Sequence, residues 1–176
     1  MIERVVRASF FYLLAVLLIG SLAGLLWWVL AKPPAFTIGD DLGAIITERG
    51  LAQVFNIDIW FVLIGLALGL ILGTITWFSY HRLSWPVVIV AIAGAVLAGL
   101  LALNVGHLLG PYNFAERVAV AKPGDLVVMD LDLHSPALLL VWPFAASVGT
   151  LLFAIWGRVR PRRKSTTARV ISPTAD

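Results

Sequence analysis

The chain has 176 residues, of which 60% are hydrophobic and 13% charged, and its mean hydropathy is +0.95. Those proportions exclude an ordinary soluble domain and make the bilayer the expected solvent; four crossings of about 20 residues each would occupy roughly half the chain. The absence of cysteine excludes disulfides, thiolate metal sites and a thiol nucleophile, and the net charge of +3 matters less than its distribution.

The first apolar run, 8–31, follows Arg4 and Arg7. At about 24 residues it is roughly 36 Å long as a helix, enough to span with some tilt. Val29-Leu30-Ala31 loosely fits a signal-peptidase site, but the run outlasts a signal peptide's apolar region, and Trp27 with Trp28 reads as an interface anchor. Lys32-Pro33-Pro34 then stops the helix. The segment 32–58 combines an extended start at Ala35-Phe36-Thr37-Ile38, a Gly39-Asp40-Asp41 turn and an amphipathic stretch from Leu42 to Phe55 expected to lie on the membrane surface.

The second run, 59–78, and the third, 85–105, are joined by Ser79-Tyr80-His81-Arg82-Leu83-Ser84, short enough to force an antiparallel pair that packs together. In 106–136, Arg117-Val118-Ala119-Val120-Ala121 and the run Leu126 to Leu133 bracket Lys122-Pro123-Gly124-Asp125, which predicts a small β-hairpin. Because an isolated hairpin is marginal, it is expected to rest on the first loop, the bilayer surface or a partner. The fourth run, 137–156, carries Pro143 about a third of the way in, where a kink is expected. The tail, 158–176, is basic and then rich in Ser, Thr and Pro, a composition that predicts disorder.

Basic residues orient the spans. Arg4, Arg7, Arg82, Arg158, Arg160, Arg162, Arg163, Lys164 and Arg169 fall on one side, while only Lys32, Arg49, Arg117 and Lys122 fall on the other. Nine against four predicts that both termini are cytoplasmic, in a multi-pass protein of the bacterial plasma membrane. The expected fold is thus an all-α membrane protein, a four-transmembrane-helix bundle with the hairpin in its second extracytoplasmic loop.

Small residues recur at four-residue spacing: Gly20 and Gly24; Gly65, Gly69 and Gly73; Ala91, Ala95 and Gly99. Such faces allow close helix approach, either within the bundle or towards another membrane protein or a second copy. No ionisable residue sits mid-span, which argues against an ion-coupled carrier; Thr74, Thr76, Asn104, Ser147 and Thr150 supply the polarity of the later spans. Asp130, Asp132 and His134 alternate, and His107 lies on the same side. On a strand the three would share a face, either as metal ligands or as the polar side of a half-buried strand. No nucleophile elbow, zinc-protease helix or phosphate-binding loop is present. Arg158, Arg160, Arg162, Arg163 and Lys164 suit anionic lipid headgroups and do not suggest a nucleic-acid contact.

Several blocks carry a family resemblance: Phe55-Asn56-Ile57-Asp58-Ile59-Trp60, Trp77 with Arg82, Asn104 to Pro111, and Leu140-Val141-Trp142-Pro143-Phe144-Ala145-Ala146. Over residues 22–156 the chain resembles a group of actinobacterial four-helix membrane proteins of unknown function. The resemblance implies a topology and a cell-envelope setting, and no activity, cofactor or catalytic residue. The function expected is that of a non-catalytic accessory or scaffold subunit of a cell-envelope or energy-conversion complex, its partners being the bilayer and another membrane protein or itself. The alternative is a small transporter or lipid-handling component with a cavity beneath Pro143.

Overall fold

The computed structural model describes residues 2–41, 43–80 and 85–159. In chain order the elements are α1 (Ile2–Ala31), β1 (Ala35–Ile38), β2 (Ala44–Ile45), α2 (Glu48–Tyr80), α3 (Pro86–Leu109), a short α4 (Phe114–Ala119), β3 (Leu126–Val128), a 3₁₀ turn (Pro136–Leu140) and α5 (Val141–Val159). Four stretches, Val6–Ala31, Glu48–Tyr80, Pro86–Ala119 and Pro136–Ile155, are long and apolar enough to cross a membrane. The molecule is therefore mostly helical, with one small sheet at the end of the bundle where α1 finishes and α2 begins.

The helix ends follow from local chemistry. α1 stops where Lys32 turns left-handed, at φ 42°, immediately before Pro33, a position from which the pyrrolidine ring displaces helical geometry. α3 starts on Pro86, whose fixed φ suits a first helical residue and whose missing N–H would have been unpaired there. At 33 residues, α2 is about 50 Å long and exceeds a hydrocarbon core of about 30 Å. The described part of the stretch from Leu42 to Phe55 divides between β2 and the start of α2. From Glu48 onward it is the first two turns of α2 itself, and Leu42 lies outside the described residues.

α1 and α5 lie on opposite sides of the α2/α3 pair, and each packs against both. α2 and α3 do meet, but each has a closer partner, α5 for α2 and α1 for α3. The short connection between them therefore brings them together without making them the main packing pair. Residues 81–84, including Arg82, fall outside the described residues.

The small-residue faces point inward. Gly20 and Gly24 meet α3 at Ala98 and Ala102; Gly65, Gly69 and Gly73 meet α5 at Trp142, Ala145 and Ala146; Gly99 supports the ring of Trp142. Ala91 and Ala95 are fully buried. Close approach is tightest at Gly24, where a Cβ would stand 2.6 Å from the Ala102 carbonyl oxygen, and at Gly73, where it would collide with the backbone of Ala146. Trp27 is wholly buried, stacked edge-on against Phe61 at 5.1 Å and donating its indole N–H to the Ile57 carbonyl at 2.9 Å. It belongs to the core, and only Trp28 is exposed as an interface anchor would be.

Pro143 does not kink a helix interior. The chain runs as a 3₁₀ turn to Leu140, and the α-helix begins at Val141. Pro143 thus occupies the first α-turn, where an N–H has no intrahelical partner to lose. Beside it, Trp142 is buried against Gly65, Gly99 and Phe61.

The sheet has the order β2-β1-β3, both pairings antiparallel. This corrects the expected hairpin within the second loop. The turn at Lys122 to Asp125 forms, with Asp125 N–H donating to the Lys122 carbonyl at 3.0 Å, but Arg117, Val118 and Ala119 are helical. β3 pairs instead with Ala35–Ile38 from the first loop, because a two-stranded ribbon standing alone buries too little to hold itself.

These contacts yield a stability test. Gly73→Ala is expected to destabilise the bundle by about 1–3 kcal/mol, because overpacking against backbone cannot relax by a rotamer change. Leu100→Ala, at an exposed position, should cost much less. Thermal unfolding in a mild detergent measures both; equal loss at the two positions would contradict the inward placement of the glycine face.

Candidate functional site at the capped end

The segment Asp130 to His134 forms a strap across the top of the bundle. Its odd residues turn inward, with Leu131 buried and Leu133 packed on the core. Its even residues each engage a different element. Asp130 accepts the Phe114 N–H on both carboxylate oxygens at 3.1 Å and pairs with the Arg117 guanidinium at 2.8 Å. Asp132 pairs with His107 at the end of α3, 3.1 Å away. His134 reaches Asp58 on α2, with Nδ1 3.3 Å from the carboxylate and the backbone N–H donating at the same distance.

The alternation expected from sequence is therefore present, and its consequence is structural. Asp130, Asp132 and His134 are directed to α4, α3 and α2 respectively, and no group of three or more metal-ligating side chains converges among the described residues. Asp130 explains why 114–119 is helical: its carboxylate satisfies an N-terminal backbone donor and anchors Arg117, whose Nε also donates to the Tyr112 carbonyl at 2.9 Å. All three contacts are partly exposed, so the Arg117–Asp130 ion pair contributes at most about 1 kcal/mol and the value of the set lies mainly in fixing geometry.

The strap and α4 support the sheet from one side. Phe36, Ile38 and Val127 face the bundle, and Phe36 packs on Phe114 with ring centroids 5.1 Å apart. The other face is exposed: the register places Ile45, Thr37 and Leu126 in one row and Ala35 with Val128 in the next. Leu126 is 70% exposed and Ile45 59%. Nearby, Val120 and Tyr112 are also exposed. An apolar sheet face of this kind is what an association site leaves uncovered in the isolated chain.

Sequence reasoning placed Leu126 and Val128 in a strand but did not single out this face. The signal was present, since Leu126-Val127-Val128 is apolar without alternation, and a strand meant to be wet on one side alternates. Ile45 could not be found in this way, because its face depends on pairing with Thr37.

Within the apolar lengths, Thr74, Thr76, Asn104, Ser147 and Thr150 each donate to the carbonyl four residues earlier, at 2.7–2.9 Å. Their polarity is thus mostly spent on their own helices, although Thr150 also reaches the Gly73 carbonyl on α2 at 3.2 Å. Tyr12 donates to the Val90 carbonyl at 3.2 Å and meets Thr76 Oγ1 at 3.0 Å, tying α1 to α2 and α3. Beside it an open groove of about 310 Å³ runs between α1 and α3, lined by Tyr12, Leu13, Val16, Val90, Gly94 and Leu97 among others. The backbone of Arg158 is in the last turn of α5, whereas Arg160, Arg162, Arg163 and Lys164 lie outside the described residues.

No family model matches the chain, and no curated protein or solved structure matches it significantly.

Replacing Asp130 with alanine removes the acceptor that holds α4, at an expected cost of about 1–2 kcal/mol. Amide hydrogen exchange should then accelerate at Phe114 and through Arg117 while the protection of α2 and α5 is retained. Unchanged exchange in 114–119 would show that α4 does not depend on the carboxylate.

Proposed function

We propose that the chain is a non-catalytic integral membrane protein acting by association, as an accessory or scaffold subunit of a cell-envelope or energy-conversion complex in a bacterial plasma membrane. Both termini are cytoplasmic on this reading, and the strapped sheet stands on the outer face. The observation that carries the proposal is the division of the molecule's apolar surface. The small-residue helix faces are consumed inside the bundle, while the sheet presents Ile45, Leu126 and Val128 away from it. Lipid covers exposed leucines along the helices, but it does not by itself cover an apolar face on a cap above them. The basic end of α5 and the residues after it supply the lipid-headgroup contact.

A second reading, a lipid-handling role, is favoured by the groove between α1 and α3, which is apolar except for the Tyr12 hydroxyl. The groove opens to the side, so a lipid tail could enter it directly from the bilayer.

Purification from native membranes in a mild detergent separates the two. Co-elution of a second component in fixed stoichiometry, lost in Leu126→Asp but kept in Leu97→Ala, is the outcome expected for association through the sheet. Elution of a lone chain carrying lipid that Val16→Trp displaces would transfer the function to the groove.

A further inference from the structure

Resting on the association reading, we propose that the partner of the sheet is a second copy of this chain, joined edge to edge through β3 to make a six-stranded sheet. The argument begins with the backbone. Ile38 N–H donates to the Asp125 carbonyl and Met129 N–H to the Pro34 carbonyl, so residues 125, 127 and 129 direct their hydrogen-bonding groups towards β1. The alternation of an antiparallel ladder then turns the N–H and C=O of Leu126 and Val128 to the opposite side. β3 is the last strand of the sheet, and no partner for these four groups is found among the described residues.

An unpaired strand edge is complementary to another extended backbone, in a way that a helix or a lipid tail is not. The particular complement is built into the strand. Two copies of β3 arranged antiparallel about Val127 place Leu126 of one opposite Val128 of the other, and the reverse. In that register Leu126 and Val128 exchange both of their bonds with the partner's Val128 and Leu126, so every free group on both edges is used. The exposed side chains then form two Leu–Val cross-strand pairs on the uncovered face, the kind of contact that stabilises a sheet. Flanking charges agree with the register. Asp125 comes opposite Met129 rather than its own copy, so no like charges are opposed at the ends of the strand. The contact is isologous, which closes at two copies and suits chains inserted in the same orientation. The non-alternating Leu126-Val127-Val128 run has the same explanation: Val127 is covered by the bundle and its neighbours by the second copy.

Because the chain has no cysteine, paired substitutions read this register without background. Leu126→Cys and Val128→Cys chains carrying different tags, co-expressed and oxidised in native membranes, are expected to join as a dimer of twice the monomer mass. A hydrogen-bonded antiparallel pair has Cα atoms about 5.5 Å apart, inside the range of roughly 4.4–6.8 Å that a disulfide bridges. Thr37→Cys, on the same face but in the central strand, is expected to give none. A Leu126→Pro chain deletes one outward N–H while sparing the ladder to β1, and is expected to run as a monomer whose transmembrane-length helices keep their amide-exchange protection. Failure of the 126–128 pair to cross-link, or equal cross-linking by Leu126→Cys alone, overturns the inference. If the 126–128 pair fails to cross-link but the unsubstituted chain still co-elutes stoichiometrically with another protein, the association reading stands and only the self-pairing falls. If the pair fails to cross-link and the unsubstituted chain elutes alone, both fall.

Discussion

Close backbone approach between apolar helices is the constraint on which the molecule depends. The four long helices are apolar enough to cross a membrane, and for a helix in hydrocarbon a leucine would gain nothing by leaving lipid for a neighbouring helix, which leaves packing density and shape to hold such a bundle. Gly20 and Gly24 let α1 settle on α3, and Gly65, Gly69 and Gly73 let α2 settle on α5. The large rings fill what remains: Trp27, Phe61 and Trp142 are fully buried and successive centroids lie 5.1 and 6.0 Å apart. The two close-packed pairs meet across this aromatic layer, which is why α1 and α5 need not be neighbours.

The arrangement of the cap follows from the same packing. Once Trp27 binds the Ile57 carbonyl and Gly106 accepts the Trp27 ring, the ends of α1 and α3 and the upper part of α2 are fixed beside one another. The strap from Asp130 to His134 can then reach α4, α3 and α2 with three successive outward side chains. Polar groups are satisfied close by: the threonine and serine hydroxyls of the later apolar lengths bond to their own helices, Tyr12 and Tyr80 reach neighbouring helices, and carboxylates bond to neighbouring elements above them. Trp142 is the exception among the described residues, with a buried indole N–H that has no hydrogen-bond partner. Such a group costs about 1–3 kcal/mol, and the tight fit of the ring against Gly65 and Gly99 is the contact that offsets it.

Spans and small-residue spacing were legible in the sequence because each depends on residues close together in the chain. The turn at Lys122 to Asp125 was legible for the same reason. The expected hairpin failed at Arg117, whose helical state depends on Asp130, a residue beyond the turn. The kink expected at Pro143 failed because hydropathy does not mark where a 3₁₀ turn becomes an α-helix. Trp27 looked like an interface anchor because adjacent tryptophans have the same composition on either side of a helix; burial separates Trp27 from Trp28.

The residues that define the candidate surface show where sequence reasoning reaches its limit. Composition and periodicity determined that four segments suit a bilayer, and the glycine spacing determined that some helix faces approach closely. Whether those faces point inward was decided by the tertiary structure, since each glycine's neighbour belongs to another helix. The same holds for β3: its apolar run is local, but its pairing with Ala35–Ile38 and the exposure of Leu126 and Val128 are set by a contact between loops separated by two helices. Local propensity acts over a few residues, whereas the choice of strand partner rests on which loop ends the packed bundle brings together.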